Sequence, residues 1–231
     1  MIQHKVCCIK HPAKSNVRLY CLTIKLTQMY QTITTIPDFR VYEYLLVLNP
    51  TGEICQQIWN IKKGFEEKCN APLASRTKPH ITLINFLAYG RIEEKIISRF
   101  KMIAMGITPF EIELRNFASF YSHTIYLNVI TKVPVENLAQ ELKQARYLLT
   151  LPKNAKPRFI NIAHLTICRG LAPSQYELGW PEYSTRHFSG SFVADSMTLL
   201  KRAYGENSCR TVGQFTFQST PVLLKQGSLF M

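Results

Sequence analysis

Two short motifs of one type dominate the chemistry that this sequence offers. Residues 80–83 are HITL and residues 164–167 are HLTI, so both have the pattern His–apolar–Thr–apolar. The chain has six histidines, and about 0.1 chance matches to this pattern are expected. The repeated motif therefore indicates a functional site rather than two unrelated histidines in ordinary strands.

The spacing within each motif suits a β-strand that borders a cleft. Side chains alternate along a strand, so His80 and Thr82 project from one face and the two apolar residues of the motif from the other. His164 and Thr166 have the same arrangement. If the two strands face each other, the four polar side chains line one cleft and can approach a phosphate group from both sides.

A pair of histidines suits proton transfer near neutral pH, because imidazole titrates in that range. One histidine can take a proton from water or a hydroxyl group while the other protonates the leaving oxygen. Each such transfer typically contributes about 10²–10⁴ in rate. Threonine hydroxyls can donate hydrogen bonds to phosphate oxygens and stabilise the charge that develops there. Zinc would need a third protein ligand at a suitable spacing, which the sequence does not offer, so we expect neither a metal nor a cofactor.

The elements that must position these motifs form an internal repeat. Residues 42–86 and 122–168 each show strand, helix, loop and strand, and each repeat ends in one of the motifs. Between them, apolar spacing predicts a helix that Gly106 closes and a strand over 110–117. We expect two pseudo-symmetric halves that face each other, each a sheet with helices on its outer side.

The two ends of the chain show weaker patterns. Residues 170–188 are rich in proline and tyrosine and give no assignable element, whereas 188–202 and 214–224 are predicted to be two closing strands. Residues 1–40 are basic and lack periodicity. We interpret them as an N-terminal extension that is either a disordered arm or a start-site artefact, with the functional domain over 41–231.

Composition narrows the classes of protein further. The chain has 231 residues, of which 46% are hydrophobic, and this excludes disorder as its dominant state. A net charge of +13 favours a polyanionic partner such as nucleic acid or a phosphorylated metabolite. No apolar run reaches the length of a membrane span, so we expect no membrane partner. Seven cysteines without a CxxC pair favour reduced thiols and a cytoplasmic location.

The two motifs and their flanks resemble the signatures of a known family. KPHITLINFLAYG (78–90) and IAHLTICRG (162–170) are similar to those of the two-histidine phosphoesterase superfamily. The closest likeness is to its LigT-like branch of RNA 2′,3′-cyclic phosphodiesterases and 2′–5′ RNA ligases, and it extends over residues 41–231. It implies an α+β, bilobal fold, in which two pseudo-symmetric β-α-β-containing halves with antiparallel sheets face a central cleft and carry helices outside. It also implies a metal-free site that cleaves a cyclic phosphodiester, with His80, Thr82, His164 and Thr166 as catalytic residues.

Further residues are candidates for contact with the substrate. Strict alternation gives Phe86 the face of the first motif histidine, so Phe86 either stacks on a base at the cleft rim or belongs to the core. The same alternation places Cys168 at the cleft as a filler. Arg169 follows the second motif, where a guanidinium can hold phosphate. Lys78 and Arg158 lie in loops that lead into the motif strands and form either a rim that tracks phosphates or a solvated surface. Other basic residues of these loops share both interpretations: Arg76, Lys153 and Lys156.

Three functions agree with these observations. The first is opening of a 2′,3′-cyclic phosphate, on RNA or a nucleotide, to leave a 2′-phosphate. The second uses the same site in reverse and joins a cyclic-phosphate end to a 5′-hydroxyl. The third is a catalytically inactive RNA-binding module. The residues leave open which histidine is the base, whereas the resemblance favours His164 as base and His80 as acid. We expect a monomer.

Overall fold

A computed structural model describes residues 39–150, 155–206 and 208–220. The predicted extension over 1–40 lies almost wholly outside these residues, so both interpretations of it stay predictions. Lys153 and the last residues of the predicted strand 214–224 also lie outside them.

The described part of the chain contains nine strands, and all their pairings are antiparallel. In chain order they are β1 (Val41–Leu48), β2 (Ile81–Tyr89), β3 (Phe110–Phe120), β4 (Thr124–Val129), β5 (Arg158–Phe159), β6 (His164–Arg169), β7 (Ser189–Ala194), β8 (Ser196–Ala203) and β9 (Arg210–Thr216). With the helices described below, they confirm the predicted α+β class.

The strand order is symmetric about the two strands that carry the motifs. It runs β7-β3-β4-β6-β2-β1-β8-β9, and β5 pairs with β2 beside this path. Strands β2 and β6 pair at one position only, where Ile81 lies opposite Leu165. Two four-stranded halves therefore diverge from the motif strands, as expected for a bilobal fold with pseudo-symmetric halves.

The helices lie on one side of the strands. The α-helices of the described chain are α1 (Gly52–Cys69), α2 (Glu93–Met105), α3 (Lys132–Lys143) and α4 (Pro173–Thr185), and a 3-10 helix over Gly90–Ile92 precedes α2. Helix α1 packs against β6 and α4, and α2 packs against β9 and α3. The apolar residues whose spacing predicted α1 form the stripe that this helix buries. None of these helices is both long and apolar enough to cross a membrane.

Two predicted strands are wrong in detail, and one helix lies where no element could be assigned from the sequence. Residues 170–188 contain α4, which has Pro181 inside it and buries only Tyr176, Gly179 and Tyr183, so it lacks a continuous aliphatic stripe. The predicted strand over 188–202 is two strands, because Asp195 separates β7 from β8. The strand predicted at the end of the second repeat is also two strands, β5 and β6, which pair with different residues of β2.

Candidate active site

The four motif side chains share one face at the junction of the two halves. The central residue pair of β2 and β6 is fully buried on the helix side. Extending its register by one residue either way places His80 opposite Thr166 and Thr82 opposite His164. Side chains alternate, so all four project away from the helices. All four are partly exposed. The two histidines are therefore diagonal neighbours on adjacent strands, and ordinary strand spacing places such positions about 7–8 Å apart. This separation leaves room for a phosphate group between the two imidazoles.

Both histidines are oriented by the same backbone contact. His80 Nδ1 lies 2.8 Å from the carbonyl oxygen of Lys78, and His164 Nδ1 lies 2.7 Å from that of Ile162. A carbonyl oxygen only accepts, so Nδ1 carries the hydrogen in both rings. Nε2 is then the nitrogen of each ring that can exchange a proton with a ligand.

The surroundings of His80 disfavour its charged form. Burial lowers its pKa first, and the neighbouring Lys62, Arg169 and His164 lower it further. The hydrogen bond to the Lys78 carbonyl acts in the opposite direction but does not compensate. His80 is therefore predominantly neutral at neutral pH in the free protein.

Two aromatic rings enclose His164. Phe120 meets its imidazole edge to face at 5.1 Å between ring centroids, and Tyr126 lies at the same distance. Apolar residues alternate at Ile125, Leu127 and Val129 in the first strand of the second repeat. Tyr126 then lies on the opposite face, so this contact could have been found from sequence. Phe120 could not, because the register of β3 shifts at Asn116, which has a φ of 54°.

A β-bulge follows each motif threonine. The register shifts by one residue at Leu83 in β2 and at Ile167 in β6, which are the fourth residues of the two motifs. One extra residue exchanges the two faces of a strand beyond it. The alternation that held through each motif is therefore reversed immediately after it.

The bulges correct two predictions. Phe86 does not line the cleft: it is 2% exposed and stacks on Tyr44 with 5.2 Å between ring centroids. Its assignment to substrate binding is therefore wrong, and it belongs to the core. Cys168 is 1% exposed and also lies in the core, where burial raises the pKa of its thiol to about 11. The positions that take the cleft face instead are Asn85 and Arg169, each five residues after a motif histidine.

Arg169 and Arg158 both reach the motif strands. Arg169 is exposed at the end of β6 and lies close enough to lower the pKa values of His80 and Glu43. Arg158 pairs with Asn85 through β5 and donates to its side-chain oxygen at 3.3 Å.

A carboxylate on β1 extends this polar network. Asn85 donates to Glu43 at 2.7 Å, and Arg202 forms two contacts with the same carboxylate at 2.8 and 2.6 Å. Burial acts to raise the pKa of Glu43, but these hydrogen bonds outweigh it and the pKa is lowered. Neither Glu43 nor Asn85 was predicted from the sequence.

The remaining basic loop residues are less involved. The side chain of Lys78 is exposed, and its carbonyl rather than its ammonium group contacts His80. Arg76 and Lys156 are also exposed. In the described chain, no three His, Cys, Asp or Glu side chains cluster in a way that would hold a metal ion.

A cavity of about 560 Å³ lies beside the second motif. It is bounded by α3, the end of β4 and residues 160–163, and its lining includes Asn128, Gln140 and Asn161. None of the predicted site residues lines it, although Ile162, whose carbonyl orients His164, forms part of its wall.

The two-lobed antiparallel fold with one His–apolar–Thr–apolar motif on each central strand is that of the two-histidine phosphoesterases. The sequence profile of the 2′-5′ RNA ligase superfamily matches residues 50–206. The chain belongs to this superfamily, which confirms the resemblance drawn from the two motifs.

A curated relative is similar to part of the chain. A Geobacillus kaustophilus protein described as a candidate phosphoesterase is 33% identical over 101 residues, which cover 42% of this chain and 55% of that protein. The match thus spans about half the length of that curated relative.

Solved structures show the same fold. Escherichia coli LigT complexed with NADP⁺ has a TM-score of 0.54 at 14% identity, covering 78% of this chain and 99% of LigT. The Thermus thermophilus protein TT0787 has a TM-score of 0.53 at 14% identity, covering 76% and 98%. LigT has also been crystallised with 3′-AMP.

Proposed function

We propose that this protein is a metal-independent phosphodiesterase that opens the 2′,3′-cyclic phosphate of an RNA end or a nucleotide and leaves a 2′-phosphate. The observation that supports this most directly is the pair of identically oriented histidines beside two threonines on one face of the central strands. Two imidazoles with a free Nε2 each are what an in-line displacement at phosphorus needs, one on either side of the phosphate.

The reaction needs two proton transfers. His164 removes a proton from water, the water oxygen bonds to phosphorus, and the bond from phosphorus to the 3′ oxygen breaks. His80 gives its proton to the departing 3′ oxygen, so the products are a 3′-hydroxyl and a 2′-phosphate. The hydroxyls of Thr82 and Thr166 donate to the non-bridging oxygens as charge develops on them. This assignment of acid and base follows the family resemblance.

The lowered pKa of His80 affects its role as the acid. It makes the imidazolium a stronger proton donor but reduces its population at neutral pH in the free protein. A bound phosphate group carries negative charge that offsets Lys62 and Arg169 and raises the pKa of His80 again. Binding of the substrate therefore helps to create the protonated form that the reaction uses.

Exposed cations near the motif strands suit a nucleotide or RNA substrate. Arg169 and Arg158 lie at the two motif strands, and Lys78 is exposed just before the first. We propose that they hold phosphate groups of the substrate, since guanidinium and ammonium groups bind phosphate oxygens strongly. The complexes of LigT with 3′-AMP and NADP⁺ make a nucleotide ligand reasonable for this chain as well.

Ligation is the second candidate, and the family's name is the observation that favours it. The same site run in reverse would join a cyclic-phosphate end to a 5′-hydroxyl in a 2′–5′ linkage. A second RNA end must then outcompete water. Product analysis with and without a 5′-hydroxyl oligonucleotide separates the two directions.

Steady-state hydrolysis of an oligoribonucleotide with a 2′,3′-cyclic phosphate, in buffer with EDTA, tests the proposed function. We expect His80→Ala and His164→Ala each to lower kcat by about 10²-fold or more, since each removes one proton-transfer group. His187→Ala is the matched control, because His187 is an exposed histidine outside the motifs. Wild-type activity in His80→Ala would contradict the mechanism. RNA binding without turnover in the wild-type protein would favour the inactive binding module.

A further inference from the structure

Lys62 is a buried cation that the proposed mechanism does not use. Lys62 lies on α1, and the residue is only 2% exposed. Its Nζ donates to the hydroxyl of Thr77 at 3.4 Å and to the carbonyl of Thr166 at 3.3 Å. Both acceptors are neutral, and no carboxylate in the described chain forms an ion pair with Lys62.

A purely structural role explains this lysine poorly. Lys62 follows Ile58 by one helical turn, so it lies on the stripe of α1 that packs against the strands. A methionine would fill such a position without the cost of placing an unpaired charge in the interior. Burial lowers the pKa of Lys62 to about 8, which leaves it mostly charged at neutral pH.

The two acceptors of Lys62 belong to the two motifs. Thr77 immediately precedes Lys78, the residue whose carbonyl orients His80. Thr166 is the threonine of the second motif, opposite His80 in the extended register. One side chain therefore connects the segment that orients the first histidine with the strand that carries the second motif.

The charge of Lys62 also acts on the site. Lys62 lowers the pKa of His80, and the groups that act on Lys62 in turn are Cys168 and Arg169 of β6. The groups that act on His80 are Lys62, Arg169 and His164, besides the Lys78 carbonyl. Lys62 thus lies behind the motif strands, within electrostatic reach of a site that we assign to a phosphate anion.

We propose that Lys62 is a positioning residue that holds the two motifs in register from behind and supplies a buried positive charge that favours a phosphate anion in the cleft. This inference rests on the proposed function for the identity of that anion. Lys62 acts through Thr77, Thr166 and its field on His80, and does not itself contact the substrate.

Lys62→Met tests the inference, with Lys63→Met as the matched control. Both changes remove one charge from α1 in the same way, but Lys63 is exposed. For Lys62→Met we expect kcat on the cyclic-phosphate oligonucleotide to fall by about 10- to 100-fold, by analogy with the loss of outer-shell groups that orient the ligands of a metal site. The change in KM should be smaller. Lys63→Met should retain both constants.

A titration of the imidazole resonances by NMR supplies a readout that does not depend on turnover. Lys62→Met should raise the pKa of His80, because a neighbouring cation is removed, and Lys63→Met should not. Inorganic phosphate should also bind more weakly to Lys62→Met than to Lys63→Met. A folded Lys62→Met protein with wild-type kcat and an unchanged pKa of His80 would overturn the inference.

Thr77→Val carries the test if Lys62→Met does not fold. Thr77 is exposed, so its loss should be tolerated, and the change removes only the link between Lys62 and the first motif. We expect Thr77→Val to have a lower kcat and the same urea midpoint as the wild type. A wild-type kcat would count against the positioning role of Lys62. If the wild-type protein hydrolyses no cyclic phosphate, the proposed function fails, whereas the titration and phosphate binding still decide the role of Lys62.

Discussion

The two motif histidines have the same backbone contact but different surroundings. His80 is near Lys62 and Arg169, whereas His164 is enclosed by the rings of Phe120 and Tyr126. A duplicated motif has thus produced two chemically distinct imidazoles. Different environments are what allow one pair of identical residues to divide the roles of acid and base.

The pKa of His80 predicts how folding stability depends on pH. In the unfolded chain this histidine takes up a proton near its ordinary pKa, but the folded protein resists protonation until lower pH. The unfolded state then binds more protons, so the contribution of His80 to stability is present above about pH 6.5 and is lost as the pH falls.

Urea unfolding of the wild-type protein and of His80→Gln between pH 5 and 8 measures this contribution. The free energy of unfolding of the wild type should decline more steeply towards pH 5 than that of His80→Gln, in which the group cannot titrate. His187→Gln, at an exposed site, should follow the wild type. Parallel pH profiles for wild type and His80→Gln would contradict the assigned direction of the pKa shift.

At the scale of elements, the bulges decide which predictions from sequence succeed. Alternation correctly placed His80, Thr82, His164 and Thr166 on one face because each bulge follows the threonine of its motif. It failed for Phe86, beyond Leu83, because an extra strand residue is set by pairing with the neighbouring strand and leaves no mark in the local pattern. The exchange of faces brings Arg169 into the site and removes Cys168 from it.

Lys62 escaped prediction for a different reason. Its helix was correctly predicted from apolar spacing, and within that spacing a lysine is expected to reach solvent at the edge of the stripe. Only the packing of α1 against β6 shows that it is buried beside both motifs. Helix α4 was missed because its contacts use Tyr176, Gly179 and Tyr183 rather than a regular series of aliphatic side chains.

Two glycines in neighbouring helices should respond oppositely to alanine. A Cβ atom at Gly179 of α4 would lie 2.7 Å from the buried ring of Phe65, so Gly179→Ala should destabilise the fold by about 1–3 kcal/mol. At Gly64, inside α1, a Cβ atom would meet no atom within 4 Å. Gly64→Ala should therefore stabilise the fold by about 0.5–1 kcal/mol, since alanine favours a helix.

Urea denaturation at one pH compares the two variants directly. The urea midpoint of Gly179→Ala should lie below the wild-type value and that of Gly64→Ala above it. Equal stability of Gly179→Ala and the wild type would mean that α4 does not depend on this close approach to α1.

At the scale of the whole molecule, the internal repeat and the duplicated motif were sufficient to predict two facing halves. The symmetric strand order agrees with that expectation. The sequence could not show that the two motif strands pair at a single residue position, because contacts between distant strands depend on the complete packing. The net charge of +13 indicated a polyanionic partner but not where it binds.

Salt dependence of binding tests which part of that charge lies at the proposed RNA site. For an oligoribonucleotide with a 2′-phosphate end, affinity should fall as salt rises. The logarithm of the binding constant should fall linearly with the logarithm of the salt concentration, with a slope of about −0.7 for each phosphate neutralised on a single strand. Arg169→Ala should weaken binding and reduce the magnitude of this slope by about 0.7, the value for one phosphate contact on a single strand. Arg146→Ala, at an exposed arginine in the turn after α3, is the control. Equal slopes for both variants, measured by fluorescence anisotropy, would argue against a phosphate contact at Arg169.

Phosphorus NMR of one reaction tests the metal-independent two-histidine mechanism more directly than any other measurement. An oligoribonucleotide ending in a 2′,3′-cyclic phosphate is incubated with the wild-type protein and EDTA, alongside His80→Ala, His164→Ala and the His187→Ala control. We expect the cyclic-phosphate signal to be replaced by that of a 2′-phosphate with the wild type and the control, and to persist with the two motif variants. A 3′-phosphate product, dependence on added metal, or conversion by His80→Ala and His164→Ala would contradict it.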